Sequence, residues 1–169
     1  RILRELYEDA VKEGIVWTEL SIGLKCNKHW IAFFGTWRAL EEEFAGRTST
    51  RFIASVPKSV EDAKTLVKFL RSHPHAGAAV VGVGQWGAER SAKENAAAFD
   101  VCRRDGNLSL LAVHAGENVL QHAMPSGYPP DLEKVASYDG PGMVRQAVEV
   151  GTQRIGHGIE AAKDMALMD

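Results

Sequence analysis

Apolar positions along this chain alternate between a helical period and short continuous runs. Residues 1–13 place Ile2, Leu3, Leu6, Tyr7, Ala10 and Val11 on one helical stripe, and Gly14 stops it. Ile15 to Ile22 reads as a strand, and Arg51 to Val56 as a second, ended by Pro57. Ser59 with Asp62 three residues on resembles a helix cap. The helix after it runs to about Ser72, with Ala63, Leu66, Val67 and Leu70 on one face. Ala78 to Val83 is a third strand, Glu89 to Arg103 a helix, and Leu108 to Val113 a fourth strand. Gly142 to Val150 is a short helix, Arg154-Ile155 leads a brief fifth strand, and Glu160 to Met168 starts another helix. The pattern fits worst over 23–50, where Trp30 to Phe34 is apolar and Thr36 to Phe44 suits a helix. Residues 118–139 read as a loop rich in Pro, Gly and Ser.

The strand runs are continuously apolar rather than alternating, as expected of strands covered on both faces and joined by crossover helices. The class is α/β, with five β/α units in a row. Such a series suits an open doubly wound sheet or part of a (β/α)8 barrel. Polar and Gly-rich residues follow strands two to five: Ser55, Gly84-Gln-Trp-Gly87, His114 to Glu117, and His157-Gly158. Both architectures place their sites at these C-terminal strand ends. Single polar residues from several strands favour the barrel. Gly82-Val-Gly84-Gln-Trp-Gly87 matches G-x-G-x-x-G by letter, but no acidic residue ends a strand about twenty residues on, so a dinucleotide site is disfavoured.

Bulk properties remove other classes. The chain has 169 residues, 45% hydrophobic and 25% charged, with a net charge of −2. That balance offers no electrostatic case for nucleic acid or an anionic membrane, and no apolar run reaches the length of a membrane span. The expected compartment is cytoplasmic, with secretion left open by the lone sequon Asn107-Leu-Ser109. Cys26 and Cys102 are the only cysteines, and free thiols are the simpler expectation. Oligomeric state is not legible.

The candidate chemistry lies in two segments. Val113-His-Ala-Gly-Glu117 puts a histidine and a carboxylate three residues apart after an apolar run, and Arg154-Ile-Gly-His-Gly158 puts a second histidine after the next. Imidazole and carboxylate at strand ends are the residue set of a metal-dependent hydrolytic site. As a pair, the two motifs resemble the adenosine/AMP deaminase branch of the amidohydrolase superfamily. Glu19-Leu20 is similar to that family's second-strand E-L pair, and Val80-Val-Gly-Val-Gly-Gln-Trp-Gly-Ala-Glu89 to its fourth-strand segment. The resemblance covers roughly residues 1–22 and 51–165. It implies a metal-dependent hydrolase-type TIM (β/α)8 barrel and zinc-dependent hydrolytic deamination of a purine nucleoside or related purine. It further implies His114 as a zinc ligand, Glu117 as the general acid toward the ring nitrogen, and His157 as the residue that orients the attacking water. Gly87 matches a glycine whose backbone contacts the purine.

Departures from the family pattern set further expectations. The family takes an H-x-H from strand one and an Asp from strand eight; neither is in this chain, and a lone histidine does not hold zinc. His73-Pro-His75 is an H-x-H by letter, but it stands in the loop before a strand, on the opposite face of the barrel. Gly84 replaces the usual Asp and Gln85-Trp86 the usual following pair, which alters the expected pocket wall. The span from Glu117 to Arg154 is long, and its excess over 118–139 is expected to lie above the C-terminal face as an insertion. A full barrel takes ~250 residues, so the chain reads as one partial barrel domain over 1–169, about five of eight units, within a longer protein. The alternatives are a non-catalytic barrel relative acting as a binding module, or another amidohydrolase with a different substrate.

Overall fold

The computed structural model describes residues 1–24, 26–55, 59–86, 91–117 and 138–167. Five strands form one parallel sheet in chain order: β1 (Trp17–Ile22), β2 (Ser49–Ser55), β3 (Val80–Gln85), β4 (Leu110–Ala115) and β5 (Arg154–His157). Every neighbouring pair is parallel. Successive strands lying side by side in order is the arrangement of a barrel wall; a doubly wound sheet reverses its order at a switch point.

The helix α1 (Ile2–Lys12) precedes β1, and helices fill the crossovers: α2 (Lys28–Glu43), α3 (Val60–Ser72), α4 (Pro74–Ala79), α5 (Ala96–Gly106) and α6 (Gly140–Glu149). The core lies between them and one face of the sheet. Tyr7, Phe34, Trp37, Phe52, Val83, Phe99, Cys102, Leu111 and Val113 are fully buried there. Along β4, Leu111, Val113 and Ala115 are buried against the helices, whereas Leu110, Ala112 and His114 are half-buried on the inner face. This alternation fixes which side chains line the inside of the half-barrel.

Several boundaries differ from the sequence expectation. Residues 23–50 contain one long helix, α2, capped by the Asn27 side chain accepting from His29 and Trp30 N–H. Gly35 interrupts its stripe, but Phe34, Trp37 and Leu40 all face the core. The third strand starts at Val80, because Pro74 at a helix start turns 74–79 into α4. The helix expected from Glu89 begins at Ala96, after a 3₁₀ turn over Ala92–Asn95; Glu89 and Arg90 lie outside the described residues. The fourth strand runs on through His114 to Ala115. The helix expected from Glu160 is two 3₁₀ turns, Ile159–Lys163 and Met165–Leu167. The loop over 118–139 falls outside the described residues except for Tyr138 and Asp139; the latter accepts from Gly142 N–H and caps α6.

Cys26 is exposed and Cys102 buried, and both are free. Burial pushes the Cys102 thiol up to about 11, so it packs as a small apolar residue. Among the described residues no helix is long and apolar enough to cross a membrane.

Candidate metal and catalytic site

The two segments singled out in the sequence meet at the C-terminal ends of adjacent strands. β4 and β5 pair Val113 with Ile155, His114 with Gly156, and Ala115 with His157. Beyond the strands the ends are tied by backbone bonds: Gly158 N–H donates to Ala115 O at 3.0 Å and Glu160 N–H to Gly116 O at 3.0 Å. Glu117 follows at once, so its position is set by both strands.

Alternation along β4 points His114 inward. Its ring occupies the space beside Gly156, where an added Cβ would stand 2.5 Å from His114 Cδ2 and 3.1 Å from Nε2. Only a glycine leaves that room. The same alternation along β5 sends Arg154 and Gly156 inward, and would send His157 out. His157 instead has φ +72°, and Gly158 follows at +64°. A left-handed backbone at a non-glycine residue costs about 1–3 kcal/mol and is held only when the surroundings over-determine it. Here it turns the imidazole back over the inner face, with its ring centroid 4.6 Å from that of His114 and the planes at 86°.

Glu117 completes the cluster. Its Oε1 is 3.5 Å from His157 Nε2, with the carboxylate side chain 13% exposed and the imidazole 34%. One ligand atom from each of His114, Glu117 and His157 can be chosen so that all three lie within 4.8 Å of one another. Ligand atoms around one tetrahedral zinc stand roughly 3.3–3.6 Å apart, so an ion held by His114 would have Glu117 and His157 beside it. Two imidazoles and a carboxylate are a donor set that suits zinc. Gly116, the spacer in His-Ala-Gly-Glu, has φ +65°, and a Cβ on it would stand 2.7 Å from Val144 Cγ2 of α6. The segment that carries Glu117 thus leans directly on that helix.

Deeper in the half-barrel, Arg154 bonds Glu19 through both guanidinium Nη atoms, one contact at 3.3 Å. This pair spans from β5 to β1 across the inner face. Burial pushes the Glu19 carboxyl up, but hydrogen bonds from Arg154 and Trp17 outweigh it and hold the group below its ordinary value.

Gly87 lies outside the described residues. His73 stands between α3 and α4 and His75 within α4, on the path into the N-terminal end of β3, so this H-x-H is at the opposite end of the strands from His114. His73 Nδ1 lies 2.8 Å from Phe69 O, and its ring packs on Phe69 at 4.6 Å, a structural placement. Gln85 does not line the pocket wall: it is buried on the helix side, where its Oε1 accepts from Asn95 at 2.8 Å. Trp86 does face inward, with its ring against Gly84. Three contributors were missed in the sequence: Gly156 as the space for His114, the left-handed turn at His157, and the Glu19–Arg154 pair. The glycine in Arg-Ile-Gly-His-Gly was visible, but the register that sets it opposite His114 was not.

With this geometry in view, solved structures supply the comparison. A cog1816 amidohydrolase from Burkholderia ambifaria, crystallised with bound Zn, superposes with a TM-score of 0.70 at 20% identity, covering 99% of this chain and 43% of that one. Arabidopsis ADAL, complexed with GMP, superposes with a TM-score of 0.61 at 18% identity, covering 99% of this chain and 48% of that one. The fold is part of a (β/α)8 TIM barrel, incomplete in this chain. The chain spans less than half the length of either of these two proteins. No family model matches the sequence, and no curated protein does.

Proposed function

We propose that this chain forms part of a zinc-dependent aminohydrolase that deaminates a purine nucleoside or related purine. The observation that carries the reading is the convergence of His114, Glu117 and His157 at neighbouring C-terminal strand ends. Support also comes from the two barrel neighbours, one holding zinc and the other the purine nucleotide GMP.

His114 would hold the metal through its imidazole, with the remaining ligands supplied by the longer protein. Zinc, when bound, contributes Lewis acidity and brings the pKa of a water near neutrality. Glu117, on its short Ala-Gly tether, delivers a proton to the ring nitrogen next to the carbon under attack. That transfer makes the ring carbon electrophilic enough for addition; of the two protons of the water, one passes to the exocyclic amine, which leaves as ammonia, and the other restores Glu117. His157, turned inward by its backbone, accepts a hydrogen bond from the attacking water and fixes its approach. Glu117 and His157 are close enough for the same proton network to serve both. The backbone of Gly87 contacts the purine in this proposal.

Two variants separate the roles. In the full-length protein, His114→Ala is expected to lose bound zinc, read by elemental analysis, together with ammonia release. Glu117→Gln is expected to keep zinc and lower the rate by about 10²–10⁴. Full zinc occupancy in His114→Ala, or an unchanged rate in Glu117→Gln, overturns the assignment.

A further inference from the structure

The wall of the site on the β3 side has an unusual construction. Gly82 and Gly84 both stand on the inner face of β3, paired with Leu110 and Ala112 of β4. Gln85 pairs with Val113, so Trp86 comes at the register position beside His114. Its indole folds back over Gly84: a Cβ at that position would lie 2.7 Å from Trp86 Cε3, closer still to Cζ3, and 3.0 Å from Ala112 O. The indole therefore occupies space that exists only because residue 84 has no side chain. Trp86 is half-buried, so part of the ring is covered by the strand and part is open. The register thus sets the Trp86 position next to His114 on the β3 side, and Gly156 and His157 adjoin His114 on the β5 side.

From this geometry we infer that Trp86 is a specificity-determining residue: its indole is a platform on which the planar heteroaromatic ring of the ligand stacks, and Gly84 is the residue that seats the platform. The inference deepens the proposed function and rests on its placement of the reacting site at His114, Glu117 and His157. An indole face attracts any flat π-system and offers a carbon surface with no carboxylate acceptor. It therefore selects for ring planarity, while the His114 side decides which ring atom reacts. Stacking is tolerant of substituents at the ring edge, so the platform favours a class of fused heterocycles over one of them.

Purine riboside, which has no exocyclic amine to lose, is the probe in the full-length protein, with ribose as the control lacking the ring. Stacking is expected to quench Trp86 emission, so purine riboside reduces tryptophan fluorescence in the parent and no longer does so in Trp86→Phe. The dissociation constant for purine riboside is expected to rise about tenfold in Trp86→Leu and in Gly84→Ala, and by less than about threefold in Trp86→Phe. Ribose binding is expected to be the same in all four proteins. Unchanged affinity in Trp86→Leu overturns the inference, as does a parent whose emission is unaffected by saturating purine riboside. Because these are binding measurements, they separate from the deamination reading. Quenching without ammonia release from amino-purines sinks the reaction and keeps the platform; ammonia release with unaltered affinity in Trp86→Leu sinks the platform alone.

Discussion

His114 owes its position to a residue with no side chain. A methyl group on Gly156 would lie 2.5 Å from the imidazole, and because Gly156 sits within a strand paired on the same face, the backbone has little room to yield. Gly156→Ala is therefore expected to displace His114 and lower zinc affinity by about tenfold to a hundredfold, the scale seen when a ligand's orientation is lost. Competition with a chromogenic chelator reads this, and unchanged affinity contradicts it. His157 depends on backbone rather than on space. Its left-handed φ is what brings the ring inward, and no residue-type rule places a histidine there. At this scale the sequence showed the three residues that come together, because His, Glu and Gly cluster in two short motifs. It did not show their geometry, which comes from strand register and one uncommon dihedral.

The elements nearest the N-terminal end of the sheet are held by a charge network away from the site. Glu41 of α2 accepts from Ser49 Oγ at 2.8 Å, Thr50 N–H at 2.9 Å and Arg51 Nη1 at 2.6 Å, and Tyr7 of α1 donates to it as well. Arg51 also stacks near Trp17 and Trp37, its Cζ 5.3 and 5.2 Å from the ring centroids. Three elements, α1, α2 and β2, thus meet at one carboxylate. Burial pushes the Glu41 carboxyl up, but the four hydrogen bonds outweigh it and hold the group below its ordinary value. A depressed carboxyl contributes stability above its unfolded pKa, and that contribution is lost as pH falls through the folded value. The parent is therefore expected to lose stability below its ordinary value of 4.5. Glu41→Gln is expected to start about 1–3 kcal/mol less stable at neutral pH and to fall less steeply in acid. Denaturant titrations across that range check this, and parallel pH profiles contradict it. The same elements show why α2 was hard to read. Gly35 in a helix interior costs about 1 kcal/mol relative to alanine, and it interrupts the stripe, yet the buried aromatics Phe34 and Trp37 on one face more than offset it. α4 escaped notice because a six-residue helix is too short to show a period.

At the scale of the molecule, five strands in chain order make a wall that curves enough for Arg154 on β5 to reach Glu19 on β1. Continuous apolar strands and intervening helices made the α/β class legible, and the polar residues at successive strand ends pointed to a barrel. Strand order itself had to come from the structure, since nothing local in a sequence encodes which strand neighbours which. The site sits at one rim of this wall, and the chain covers 43% of the cog1816 amidohydrolase and 48% of ADAL. The proposed reaction accordingly belongs to the full-length protein. Its most direct test is ammonia release by that protein from adenosine, AMP, adenine and related amino-purines, with and without a zinc chelator. The account predicts turnover of at least one of them, abolished by chelator and restored by added zinc. Absence of turnover across the set, or turnover indifferent to chelator, would contradict it.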